Sequence, residues 1–91
     1  MFEWDEEKNA ANIRKHGIRF EDAIQIFNGF VATEEDTRQD YGEVRMICLG
    51  AIGDIVVLAV VHTDREGITR IISARQANRA ERKRYEEAAL R

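Results

Sequence analysis

A chain of 91 residues fits one domain with one hydrophobic core, burying roughly 60–65% of the surface its unfolded form exposes, and leaves no material for a second. Apolar residues at 44% and charged residues at 34% argue for a folded globule and against disorder. The longest apolar run, residues 55–61, falls far short of the ~20 residues a membrane-spanning helix needs, so no membrane partner is expected.

The net charge of −3 is the average of two unlike halves. Residues 1–43 hold 5 Lys/Arg against 11 Asp/Glu, whereas residues 44–91 hold 9 against 6. Such asymmetry points to a local basic surface in the second half and to phosphate as its partner. The plainer alternative is a solvated helix face, because Arg79, Arg82, Lys83 and Arg84 fall in one predicted helix. The N-terminus lacks the basic and apolar regions of a signal peptide, and the lone cysteine, Cys48, has no internal disulfide partner, so the cytoplasm is the expected compartment. Cys48 lies in an apolar segment and reads as a small core residue.

Taken along the chain, residues 2–4 alternate apolar and polar and predict a short strand. Asp5 then caps a helix. Acidic Glu6 and Glu7 at its start, basic Arg14, Lys15 and His16 at its end, and Gly17 for a left-handed stop all agree with that helix. Along it Lys8, Asn12 and His16 share a face at i, i+4 spacing. A second helix is expected over residues 20–27, with Phe20, Ala23, Ile24 and Phe27 on one buried face. Arg19 is a poor cap for it, costing about 0.5–2 kcal/mol relative to a good one.

Residues 30–34 predict a strand and residues 36–42 a polar turn or mobile loop. Three Val- and Ile-rich strands follow over residues 43–51, 54–64 and 68–74, joined by short glycine-marked linkers as antiparallel hairpins. A last helix spans residues 78–90, with Asn78 and Glu81 at capping-box spacing. The expected fold is therefore α+β: a mainly antiparallel sheet of four to five strands packed with two N-terminal helices and one C-terminal helix, residues 1–91 forming a single domain.

Arg65 and Arg75 are placed at sheet margins, where a rigid scaffold presents chemistry. Glu43 and Arg45, two apart on a predicted strand, share a face as a possible surface ion pair. His62 inside an apolar strand reads as a satisfied buried imidazole, and Tyr85 as a helix residue packed on the sheet. No pair of histidines or cysteines has metal-ligand spacing, and no phosphate-binding glycine loop is present, so neither metal nor cofactor is expected. Arginine, histidine, lysine and carboxylate remain. That set suits RNA cleavage, because RNA supplies its own nucleophile in the 2′-hydroxyl and the protein need only move protons and stabilise charge.

Phe2-Glu-Trp-Asp, Lys8-x-x-x-Asn12-x-x-Lys15-His16-Gly17, Phe20-Glu-Asp-Ala23, Gly42-Glu43-x-Arg45 and Ile71-Ile72-Ser73-Ala74-Arg75 through Glu81 to Tyr85 together resemble the BrnT family, the toxins of type II toxin–antitoxin pairs. The resemblance implies a RelE-like fold, cleavage of RNA that blocks translation, and neutralisation by a BrnA-like ribbon-helix-helix antitoxin through which operator DNA is reached indirectly. It makes Arg65 and Arg75, with Arg45 beside them, the candidates for phosphate stabilisation. His16 and Glu43 become candidate proton-transfer groups, base and acid unassigned, and Lys15, Arg79 and Arg82 candidates for guiding RNA. The alternative function is a non-catalytic co-repressor or scaffold that binds a DNA-binding antitoxin. A housekeeping RNA-binding domain is a third reading.

Overall fold

A computed structural model describes residues 1–53 and 56–91. The elements in chain order are β1 (Phe2–Trp4), α1 (Glu6–His16), α2 (Phe20–Ala23) continued by a 3₁₀ turn (Ile24–Asn28), β2 (Val31–Glu35), β3 (Met46–Ile52), β4 (Val56–Arg65), β5 (Ile68–Gln76) and α3 (Arg79–Ala89). The start of the strand expected over residues 54–64 lies outside the described residues. None of the described helices is long and apolar enough to cross a membrane.

The five strands form one sheet in the order β1-β5-β4-β3-β2. This sheet is mixed where a mainly antiparallel one was expected: β1 lies parallel to β5, while the β2–β3, β3–β4 and β4–β5 pairs are antiparallel. Linker length dictates pairing only for strands adjacent in sequence. β1, separated from the other strands by two helices, is free to settle beside the last strand, where the amide of Thr69 donates to the carbonyl of Met1 at 2.9 Å. The remaining hairpin is closed by Glu66 and Gly67, whose φ values of 53° and 80° are those of a type I′ turn.

Helices cover both faces, which explains why the central strand β4 is buried nearly throughout its middle and reads as a continuous apolar run. On one face Phe20, Ala23 and Ile26 pack onto Cys48, Leu58, Val60, Ile71 and Ala74. On the other, Tyr85 of α3 packs onto Ile47, Leu49, Ala59 and Val61. Ile71 and Ala74 share a face although they are three apart, because β5 carries a bulge: Val61 pairs with Ser73 but His62 with Ile71, so Ile72 is an extra residue that shifts the alternation.

The second helix differs from its expected form. Only Phe20–Ala23 is α-helical, and the tighter 3₁₀ period brings Phe20, Ala23 and Ile26 into one buried row, with Ile24 and Phe27 only partly covered. Gly50 permits the approach: a Cβ there would sit 2.7 Å from Cβ of Ile26. The missing cap is supplied from outside the helix. Arg19 forks onto Asp22 instead, and the amide of Phe20 donates to Oδ1 of Asn9, on α1, at 2.9 Å.

Asn12 ties α1 to the sheet. β1 pairs with residues 69–71 only, leaving the edge of β5 open beyond them. There the Asn12 amide accepts from the Ala74 N–H at 3.1 Å and donates to the Ala74 carbonyl at 2.7 Å and to the Ile18 carbonyl at 2.9 Å. Asn12→Ala should cost about 1–3 kcal/mol for the buried groups it strands, read as a lower urea midpoint with an unchanged slope. A midpoint equal to the parent's would show that α1 is held by other contacts.

Candidate functional site

The face of the sheet that carries α3 also carries a chain of arginines and carboxylates. It begins at the Glu66–Gly67 turn. Arg65, the last residue of β4 and 73% exposed, places Nη2 3.5 Å from Oε1 of Glu43. The other Glu43 oxygen accepts from Nε of Arg45 at 3.3 Å, so this carboxylate is shared by two guanidiniums.

Glu43 and Arg45 were expected inside a strand, but β3 begins only at Met46. The reason is competition from side chains: the hydroxyl of Thr63 takes the carbonyl of Val44 at 2.8 Å, and the last main-chain link runs from the Asp36 amide to the Arg45 carbonyl at 2.7 Å. The two side chains nevertheless meet as the spacing implied.

Arg45 lies over the ring of Tyr41, with its guanidinium carbon 4.1 Å from the centroid, a cation–π contact. The Tyr41 hydroxyl donates to Oδ2 of Asp36 at 3.0 Å. Asp36, with a side chain only 1% exposed, also accepts from Nε and Nη2 of Arg38 at 2.8 Å each and from the Arg38 amide. Those bonds hold the Asp36 carboxyl well below the ordinary carboxylate range, the Arg38 guanidinium being the main cause.

Arg75 stands beyond this loop. β5 runs to Gln76 rather than ending at residue 74, because β4 is long enough to pair with it, and Arg75 lies within the strand opposite Ala59. Its Nη1 and Nη2 donate to the two oxygens of Glu81 at 2.6 and 2.9 Å. Glu81, 7% exposed, simultaneously accepts from the Asn78 amide while the Asn78 side chain accepts from the Glu81 amide, completing the capping box of α3. The same carboxylate thus starts a helix and holds an arginine, and the hydrogen bond from Arg75 is the leading cause of its lowered pKa. Between the two buried carboxylates lies a groove of about 350 Å³ lined by residues that include Asp36, Arg38, Ile47, Arg75, Asn78 and Glu81.

Arg65 and Arg75 are therefore on one face but not together. Their partners across the ladder, Arg65 with Ile68 and Ala59 with Arg75, are six positions apart along β4, roughly 20 Å at the usual rise. Lys15 and His16 end α1 in exposed positions. Among the described residues, no hydrogen bond or ion pair joins either to Glu43, Arg65 or Arg75. Arg79 and Arg82 are exposed on α3, with Arg82 paired to Glu86 at 3.2 Å. Asp36, Arg38 and Tyr41 had been passed over as loop, their only sequence signal an Asp-x-Arg followed by one aromatic in a polar stretch.

A second polar chain lies on the opposite face, where Thr33 Oγ1 meets Cys48 Sγ at 3.1 Å, Cys48 meets His62 Nε2 at 3.0 Å and His62 Nδ1 meets Asp64 at 3.0 Å. Cys48 and His62 are buried, the Phe27 ring stands edge-on to the imidazole, and burial pushes the Cys48 thiol up. This is a satisfied core network rather than an activated nucleophile.

A family model for "Ribonuclease toxin, BrnT, of type II toxin-antitoxin system" matches residues 4–81, a span that holds both arginine–carboxylate forks. The chain belongs to the BrnT family. It is also similar to the 1.1 Å crystal structure of the Brucella abortus ribonuclease toxin BrnT, with 28% identity and a TM-score of 0.69 over 87% of this chain and 99% of that one. No curated protein matches it. This BrnT-family chain is thus a toxin of the type II toxin–antitoxin class, in a family named for ribonuclease activity.

Both Asp36 and Glu81 have folded-state pKa values lowered by their arginines. Their contribution to stability is therefore complete above the unfolded carboxylate range near 4 and is lost as pH falls through and below it. Acid titration of the thermal midpoint should show a steep fall below about pH 4, shallower in Asp36→Asn and in Glu81→Gln. Equal slopes in all three proteins would remove these carboxylates from the acid response.

Proposed function

We propose that this chain is an endoribonuclease that cuts RNA without a metal, thereby blocking translation, and that the arginine–carboxylate array on the α3 face is its substrate surface. The observation that carries this reading is Glu43 held between Arg45 and Arg65: a proton acceptor with two guanidiniums at its side, at a sheet margin open to solvent. In the proposed reaction Glu43 takes the proton of a 2′-hydroxyl, whose oxygen attacks the adjacent phosphorus. Arg65 and Arg45 stabilise the charge gathering on the phosphoryl oxygens, and protonation of the 5′-oxygen releases the leaving strand.

Lys15, Arg79 and Arg82 are proposed to guide the RNA backbone, joined by His16, which ends α1 one helical turn beyond Asn12, itself bonded to the neighbour of Arg75. With His16 at that end of the array, water protonates the 5′-oxygen leaving beside Glu43. Arg75, at the other end of the array, is assigned to a second phosphate of the same strand, its orientation fixed by Glu81. A mode of action similar to RelE-type ribonucleases fits an arginine-bearing sheet face. A BrnA-like ribbon-helix-helix antitoxin would neutralise the protein in the cytoplasm and link it to operator DNA.

Expression of the chain alone should arrest growth and leave cleaved RNA, with cleavage by the purified protein persisting in a chelator. Arg65→Ala should lower the cleavage rate about 10²–10³-fold and Glu43→Gln about 10²–10⁴-fold, with folding unchanged by circular dichroism. Arg75 is tested in the double variant Arg75→Gln/Glu81→Gln, which leaves no buried charge unpaired and should also cleave more slowly. Folded variants that cleave as fast as the parent would sink the site assignment. Parent protein that binds the antitoxin tightly yet leaves RNA intact at high concentration would support the co-repressor reading instead.

A further inference from the structure

The loop over residues 36–45 has no regular structure apart from the main-chain link that closes it, from the Asp36 amide to the Arg45 carbonyl, yet it is built around a carboxylate that is almost completely buried. A buried carboxylate is costly unless each oxygen is well satisfied. Asp36 meets that demand with four bonds, from the amide, Nε and Nη2 of Arg38 and from the Tyr41 hydroxyl. The result fixes Arg38 with its side chain still 63% exposed. Of the five N–H groups of a guanidinium, two of Arg38 reach Asp36, so the fork uses only part of the group.

Across the groove, Arg75 is fixed in the same manner by Glu81. The two guanidiniums line the same groove, together with Glu34, which pairs with Arg84, and Glu35. Two like charges brought to one cleft, each held by its own buried carboxylate, form a preorganised seat for an anion. At the start of α3 the capping box takes the Asn78 and Glu81 amides.

We propose that the groove between the 36–45 loop and the start of α3 is a second phosphodiester subsite, in which Arg38 and Arg75 grip one RNA phosphate from opposite walls and Asp36 is the positioning residue for Arg38. This inference rests on the RNA reading of the same face and adds Arg38, Asp36 and the groove to it. A phosphate bound here belongs to a nucleotide other than the one attacked beside Glu43, since the two ends of the array are separated along β4.

The test measures binding rather than cleavage, using fluorescence anisotropy of a labelled single-stranded RNA oligonucleotide with 2′-O-methyl groups at every position, which has no hydroxyl to attack. Arg38→Ala should weaken binding about tenfold and reduce the slope of log affinity against log salt by about 0.7, the value for one single-strand phosphate contact. Because Arg38→Ala leaves Asp36 buried and unpaired, the double variant Asp36→Asn/Arg38→Gln is measured too. It preserves net charge, replaces the ion pair by amides, and should show the same loss. Arg19→Ala, which removes a cation beside Asp22 on the opposite face, should bind as the parent does.

A folded Asp36→Asn/Arg38→Gln protein with parental affinity and salt slope would overturn the subsite, even where the parent still cleaves ordinary RNA. A parent that neither binds the methylated oligonucleotide nor cuts RNA would overturn the subsite and the ribonuclease reading together. An equal loss in Arg19→Ala would replace the subsite by nonspecific attraction. If inorganic phosphate competes as well as the oligonucleotide, the groove holds a free anion rather than a strand, and the proposal fails as a phosphodiester subsite.

Discussion

The interaction on which the rest of the molecule depends is the bonding of one asparagine amide to both main-chain groups of Ala74. A strand edge that ends in mid-sheet leaves N–H and C=O groups to be satisfied, and β1 covers only the first part of β5. Asn12 satisfies the next residue with its own donor and acceptor, in the manner of a strand of one residue. Three residues earlier, Asn9 takes the amide of Phe20 and donates to Glu21. α1 is thereby attached to the sheet and to α2 through polar contacts, which explains why its buried residues are asparagines and why a helix with so little apolar surface docks at all.

From that anchor the order along β5 fixes the functional face. Ala74 is turned into the core with Phe20 and Ile26, so its neighbour Arg75 is directed to the opposite face, toward α3. The bulge at Ile72 reconciles this with Ile71, which must also face the core. Had β5 kept strict alternation, burying Ile71 would have turned Ala74 outward and Arg75 inward, placing a guanidinium among Leu58 and Val60. One extra residue in the ladder thus separates a core position from an arginine that reaches a helix cap.

The amount legible in the sequence follows the range of the interactions involved. Helix ends depend on residues within one turn, and the Asp5 cap, the Gly17 stop and the Asn78–Glu81 box could all be read from spacing. The place of Arg65 was legible for a similar reason, because a glycine turn is local, whereas Arg75, expected past a strand end, lies within β5 and Arg45, expected in a strand, precedes β3. Partners were not legible. Nothing in periodicity says that Glu81 serves Arg75, that Asn9 caps a helix eleven residues away, or that Asp36 sinks into the protein while Arg38 stays out. The second helix was misread because Phe20, Ala23, Ile24 and Phe27 fit the α period, whereas the row the core selected, Phe20, Ala23 and Ile26, has the 3₁₀ period and depends on the glycine at position 50.

Net charge is a poor guide to such a surface, because the acids that make the chain negative are in part the devices that hold its arginines in place. Glu43 serves Arg45 and Arg65, Asp36 serves Arg38, and Glu81 serves Arg75. The exposed pairs at Glu43 add little stability, about 0–1 kcal/mol each, so their arginines exchange a carboxylate for a phosphate at small cost. The forks at Asp36 and Glu81 differ, because removing either arginine would leave a buried charge uncompensated. A bidentate fork uses only part of a guanidinium, so those two arginines can stay with their carboxylates and still offer N–H groups to a ligand. The array therefore has an adaptable end and a rigid end, and an RNA strand spanning both would be held at the groove while the backbone beside Glu43 retains freedom to move during the reaction.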